Sequence, residues 1–172
     1  MSILNKNKAK YVQRLLLKWY EKNKRDLPWR NLKSNNRTNA YYVLVSEFML
    51  QQTTVNTVIK RFNEFIKLWP SIDKLSRISE NRILRFWSGL GYYNRAKNLL
   101  KTIKIISRDF KSKVPQHYDQ LIELPGVGDY TAKAILGIAY NQPVLPLDAN
   151  IKRIIARLYG IKTSLRLNKK TI

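Results

Sequence analysis

LPGVGDYTA, residues 124–132, is the stretch on which the fold turns. Pro125, Gly126 and Gly128 break one helical pattern and Asp129 starts another, so the spacing predicts helices over 118–123 and 129–140 joined by a tight turn. Glycines in that turn place no Cβ between the main chain and its surroundings, so backbone N–H groups can approach an anion closely. The N-terminus of the second helix adds a favourable dipole. The same pattern also suits an ordinary helix–helix turn with no ligand.

Working outward, the texture stays helical. Downstream of Pro143 and Pro146, Ile151, Ile154, Ile155 and Leu158 line one side of a helix near 150–159. Upstream, a helix near 92–109 is expected to turn Tyr93, Ala96, Leu100, Ile103 and Ile106 inward, leaving Lys97, Lys101, Lys104 and Arg108 outside. Ser71 and Ser79 have the character of N-caps for two short helices, with Ile83, Leu84 and Trp87 on one face of the second. Val55, Val58, Ile59, Phe62, Phe65, Ile66 and Trp69 form a clear helical stripe that Pro70 stops. YYVLVSEFMLQQ, 41–52, has strand-like composition but the length of a buried helix, and a helix is expected. The polar stretch 31–39 reads as a loop. Val12, Leu15, Leu16 and Trp19 mark an amphipathic helix near 9–23. No alternating pattern is strong enough for a sheet, so the fold class is all-α.

Composition narrows function. Among 172 residues, 33 Lys and Arg face 11 Asp and Glu, a formal charge of +22. Such a surplus favours a polyanion, because lysine and arginine near phosphates release condensed counterions. A solvated basic surface from compositional bias is the alternative. An anionic membrane fits less well, since the cations are spread along the chain. The absence of cysteine excludes disulfides, thiol catalysis, Cys-based zinc sites and thiolate-ligated iron–sulfur clusters within this chain. One histidine, His117, excludes a His-rich metal site, and no metal is expected. No apolar run approaches the roughly 18 residues of a membrane span. The start, MSILNKNKAK, lacks the apolar core of a secretory signal, so a soluble, cytoplasmic protein is expected.

Two carboxylates sit in apolar company: Glu47 in VLVSEFML and Asp148 in VLPLDANI. Burial raises a carboxyl pKa unless a partner offsets it. Two carboxylates in different environments can be an acid and an anion at once. A structural role is the alternative for each, and for Asp148 that role is a helix cap. Gln51-Gln52 follow Glu47, and Tyr92-Tyr93 follow Gly-Leu-Gly; amides and flat rings beside a basic groove can stack on bases or fill a gap in a duplex. Core packing is the alternative, and is expected for one tyrosine of the pair.

Together these segments resemble a known family. LPGVGDYTA resembles the helix–hairpin–helix motif of the endonuclease III superfamily of DNA glycosylases, and LDANIKR at 147–153 resembles the segment bearing its catalytic aspartate. LPWR at 27–30, SEFMLQQT at 46–53 and GLGYYNRAKNL at 89–99 are similar to MutY-type adenine glycosylases. The likeness runs in order from about Tyr11 to about Gly160.

The resemblance implies a monofunctional glycosylase acting on adenine opposite 8-oxoguanine or guanine in double-stranded DNA. The flipped adenine would enter a pocket lined by Trp29, Arg30, Leu50 and Val55. Glu47 would protonate N7, and ionised Asp148 would stabilise the oxocarbenium-like sugar, as a charge or through a transient adduct. Tyr130 and Asn150 match positions that assist them. Gln52, Thr53, Leu90 and Tyr92 match residues that probe the opposite base and fill the stack. Gly126 and Gly128, with Val127 between them, would hold the phosphate backbone, and Gln51 and Lys152 complete the expected DNA contacts. Tyr130 stands where bifunctional relatives carry the lysine that forms a Schiff base; Lys133, one turn on, leaves room for weak lyase activity. A thymine–guanine mismatch glycosylase can also carry tyrosine there. A non-catalytic helix–hairpin–helix module, or a basic helical RNA-associated protein, would share the charge without requiring both carboxylates.

Three regions are expected: an N-terminal helix within 1–26 belonging to a second lobe, a helical-barrel lobe over 27–145, and the catalytic-aspartate segment with the start of the second lobe over 146–172. The family's [4Fe–4S] cluster would require cysteines beyond Ile172, so the chain reads as C-terminally truncated, with Val12, Leu15, Leu16 and Trp19 left exposed. The resemblance further implies a monomer in a bacterial-type cytoplasm, associated with the nucleoid.

Overall fold

The computed structural model describes residues 6–30 and 38–161. Among them the regular elements are helical: α1 (Lys6–Asn23), a 3-10 turn (Pro28–Arg30), α2 (Ala40–Leu50), α3 (Val55–Leu68), α4 (Ile72–Ser76), α5 (Glu80–Trp87), α6 (Asn94–Asp109), α7 (Tyr118–Ile122), α8 (Asp129–Tyr140) and α9 (Ala149–Leu158). Most of the expected loop 31–39 and the end of the expected 146–172 segment lie outside the described residues. No described helix is long and apolar enough to cross a membrane.

The chain divides into two units, one of Asp26–Pro146 and one combining Met1–Arg25 with Leu147–Ile172. In the larger unit α2 is central and packs on α3, α6, α8 and the 3-10 turn. Its residues Val43 to Met49 are all buried, including Ser46 and Glu47. A helix buried on every side has no polar face, which is why its sequence lacks the amphipathic stripe so clear in α3. The helix stops at Leu50 rather than running to 52, because Gln52 takes a left-handed φ of 58°. Ser71 and Ser79 cap α4 and α5, accepting from the N–H groups of Lys74 and Arg82.

The α6 face differs from expectation at one end. Ala96, Leu100, Ile103 and Ile106 point inward as predicted, but Tyr93 precedes the helix and is exposed, and Arg95 is buried instead. Tyr92 is exposed as well, so neither tyrosine of the pair lies in the core.

In the smaller unit, α1 exposes Val12, Leu15, Leu16 and Trp19. The α9 N-terminus is capped by Asp148, whose Oδ1 accepts from the Ile151 N–H at 2.7 Å.

Candidate active site

Glu47 lies in the third turn of α2, 7% exposed, inside the apolar core. Burial raises its pKa from an ordinary 4.5 to about 7, against the lowering influence of the Arg30 charge. A carboxyl tuned to neutrality can hold a proton and release it at working pH, as a general acid requires. Arg30 ends the 3-10 turn and is exposed, whereas Trp29 beside it is buried and meets Phe62 edge-on at 5.3 Å. Leu50, the last residue of α2, and Val55, the first of α3, are half-buried at either end of the short connection that carries Gln51, Gln52 and Thr53.

That connection faces a second one. Gln51, Gln52, Tyr92, Tyr93, Asn94 and Arg95 line an open cleft of about 400 Å³. Gln52 and Tyr92 both have left-handed backbones, φ 58° and 50°, a conformation that costs a non-glycine residue about 1 kcal/mol or more and is maintained only by its surroundings. Leu90 is buried, and Tyr92 stands 64% exposed.

The hairpin turn adjoins the same region. The Gln51 Nε2 donates to the Gly126 carbonyl at 3.4 Å, and the Thr102 hydroxyl of α6 donates to the Pro125 carbonyl at 2.8 Å. Leu124 and Val127 are buried and pin the turn to the core. Gly126, at φ +80°, has no room for a side chain: a Cβ would lie 2.9 Å from both Phe48 Cε1 and Asn98 Cβ. Gly128 is the N-cap of α8, with an ordinary φ of −94° and open space where a Cβ would go. The packing therefore requires a glycine at 126 and sets no steric limit at 128.

Tyr130, in the first turn of α8, is 43% exposed. Its neighbour Asp129 accepts from the Tyr118 hydroxyl at 2.9 Å and pairs with Lys133 Nζ at 2.8 Å. The hydrogen bond with Asp129 raises the Lys133 pKa.

Asp148, Asn150 and Lys152 belong to the smaller unit, where Asp148 is half-buried and Asn150 and Lys152 are exposed. The capping bond expected of Asp148 is present and engages Oδ1. Among the described residues no group of His, Asp and Glu is arranged to hold a metal ion. The 172 residues contain no cysteine and so do not fit a thiolate-ligated cluster.

Sequence reasoning missed Arg95 in this region, with Asn98 and Thr102 following it along α6. The available signal was register: Arg95 shares a helical stripe with Leu99, Thr102 and Ile106, all buried.

The larger unit thus sets a buried acid, a cleft between two turns with left-handed residues and a glycine hairpin on a helical frame, and comparison with known proteins places that frame in a family. The profile described as "HhH-GPD superfamily base excision DNA repair protein" matches residues 45–171, and the chain belongs to that superfamily. Among curated relatives, it is similar to the adenine DNA glycosylase of Buchnera aphidicola subsp. Acyrthosiphon pisum, 45% identical over 94% of this chain and 45% of that protein. It is also similar to the adenine DNA glycosylases of Mycobacterium tuberculosis, 41% identical over 83% and 45%, and Arabidopsis thaliana, 38% identical over 94% and 29%. The chain spans less than half the length of these relatives. Among solved structures, a thermostable thymine-DNA glycosylase superposes with a TM-score of 0.76 at 26% identity, covering 85% of this chain and 65% of that one. An endonuclease III–DNA complex shares the fold, with a TM-score of 0.71 at 21% identity, covering 88% and 68%.

Proposed function

We propose that this chain carries the catalytic lobe of a monofunctional adenine DNA glycosylase that removes adenine opposite 8-oxoguanine or guanine in double-stranded DNA. The observation that carries the reading is Glu47, a carboxyl held by burial at a pKa of about 7 one helical turn before the cleft segment. Glu47 donates its proton to N7 of the extruded adenine, and the C1′–N9 bond breaks with its electron pair leaving on the base. The Asp148 carboxylate offsets the positive charge that develops at C1′. Water then adds to C1′, its proton passes to a carboxylate, and an abasic site remains.

Gln52 and Tyr92 meet the opposite base and the gap in the stack, Trp29, Arg30, Leu50 and Val55 shape the base pocket, and the Gly126–Gly128 turn takes backbone phosphate. Tyr130 and Asn150 assist Glu47 and Asp148. No iron–sulfur chemistry is required of these residues. The charge of +22 supports a nucleic-acid partner, and the setting proposed is a monomer on nucleoid DNA in a bacterial cytoplasm.

The test is single-turnover base release from duplexes carrying one A·8-oxoguanine, A·G or T·G pair. Adenine release from the first two, with strands intact until alkali is added, supports the proposal. Thymine release from T·G with no adenine release would support the thymine-glycosylase reading that the 26%-identical structure suggests. Tight duplex binding with no released base would reduce the chain to a DNA-binding module.

A further inference from the structure

The structure assigns Arg95 a positioning role: its guanidinium locks the two turns bearing Gln52 and Tyr92 into one preformed jaw before DNA arrives. What the jaw grips rests on the function proposed above; that Arg95 forms it does not.

In a chain this basic, burying one particular arginine calls for a reason. Arg95 is 7% exposed, and its hydrogen-bond partners are backbone carbonyls rather than a carboxylate. Nη1 donates to Phe48 at 3.3 Å, to Met49 at 2.9 Å and to Gln51 at the end of α2. Nη2 donates to Leu90 at 2.8 Å and Gly91 at 3.1 Å in the facing turn. Each set of carbonyls ends one residue before a left-handed non-glycine residue, Gln52 in one turn and Tyr92 in the other. The guanidinium carbon also lies 5.6 Å from the Tyr92 ring centroid, a cation–π contact. One planar fork thus fixes both jaws at once.

Arg61 braces the same loop from its other end. It donates to the carbonyls of Phe86 and, at 2.7 Å, Ser88. Arg61 also pairs with Glu64 at 3.0 Å, and of the two turns it reaches only the segment leading to Tyr92, whereas Arg95 reaches both; that difference separates a coupling role from ordinary helix capping. Lysine keeps the charge at position 95 but offers one tetrahedral nitrogen, which cannot span both sets of carbonyls.

The experiment compares the wild-type chain with Arg95→Lys and Arg61→Lys. Amide hydrogen exchange is read on the free proteins. Affinity is read on an A·8-oxoguanine duplex and on the matching A·T duplex, and the saturating single-turnover rate on the former. For Arg95→Lys, exchange is expected to rise at least tenfold in both 51–53 and 90–93 while α3 and α8 stay protected. Preference for the mispaired duplex should fall about tenfold, with the saturating rate changed less than threefold. Arg61→Lys should loosen 86–92 and leave 51–53 unchanged. Loosening of one turn alone by Arg95→Lys, or a lowered melting temperature with exchange and preference both preserved, overturns the assignment.

Should Arg95→Lys fail to fold, the wild-type guanidinium itself is decisive. Its Nη protons should be resolved and slowly exchanging by NMR without DNA, and Nη protons that exchange like those of a surface arginine contradict the clamp. A wild-type chain that cannot tell the two duplexes apart counts against the proposed function, and the exchange data still judge the clamp.

Discussion

Phe48 occupies the space that a side chain on Gly126 would need, with its Cε1 only 2.9 Å from where that Cβ would be. The close approach sets the helix that holds the buried acid against the hairpin turn. It also separates the two glycines of GVG by role. Gly126→Ala meets both a positive φ and an unyielding contact, and is expected to cost about 2–4 kcal/mol of stability. Gly128→Ala meets neither and should cost under about 1 kcal/mol, yet weaken duplex affinity roughly tenfold by standing between backbone and phosphate. Denaturant unfolding and a binding titration on the pair check this; equal stability losses with equal affinity losses would contradict it.

Glu47→Gln should make the protein more stable at pH 8. The folded chain keeps the Glu47 proton up to about pH 7, the unfolded chain only to 4.5. Between those values the folded state binds the extra proton, so stability falls as pH rises through the window and levels off above it. The gap corresponds to a penalty of about 3 kcal/mol at pH 8, of which the neutral isostere should recover about 1–3 kcal/mol. Melting curves of the two proteins should converge near pH 4.5 and separate by pH 8. A Glu47→Gln variant less stable than wild type at pH 8 would refute the burial argument.

Arg30 opposes that upward shift. Arg30→Gln is therefore expected to raise the Glu47 pKa further, moving the alkaline fall of the rate to higher pH. The shift should shrink in high salt, because Arg30 is exposed and its field is screened. An unshifted profile for Arg30→Gln would show that its charge does not reach Glu47.

The bond between Lys133 and Asp129, 2.8 Å, predicts negligible strand cleavage. A lysine must be neutral to attack the sugar carbon, and Asp129 favours the ammonium form of this one. Borohydride trapping of the chain on abasic DNA at neutral pH should be near background, and Asp129→Asn should raise it several-fold. Efficient trapping by the wild type would mean that Lys133 reaches the sugar as a free amine.

Much of this fold can be read locally. The α3 stripe ended by Pro70, the serine caps of α4 and α5 and the start of α8 after Gly128 are short-range signals, and they appear where expected. Glu47 is visible as a carboxylate in apolar company, because its burial follows from its neighbours along the chain. Arg95 is not: it reads as one more cation at the start of a basic helix, and its partners Phe48 and Met49 are 47 and 46 residues away. Tyr93 misleads for a related reason. Its helical register points inward, but the helix starts after it, and the left-handed Tyr92 re-aims the chain there.

The pH dependence of single-turnover adenine release from an A·8-oxoguanine duplex tests the central role of Glu47 most directly. With Glu47 as the proton donor, the wild-type rate is predicted to fall as pH rises past about 7, and Glu47→Gln to lose release by at least about 10²-fold. A wild-type rate that is flat from about pH 6 to 9, with Glu47→Gln as fast as wild type, would contradict it.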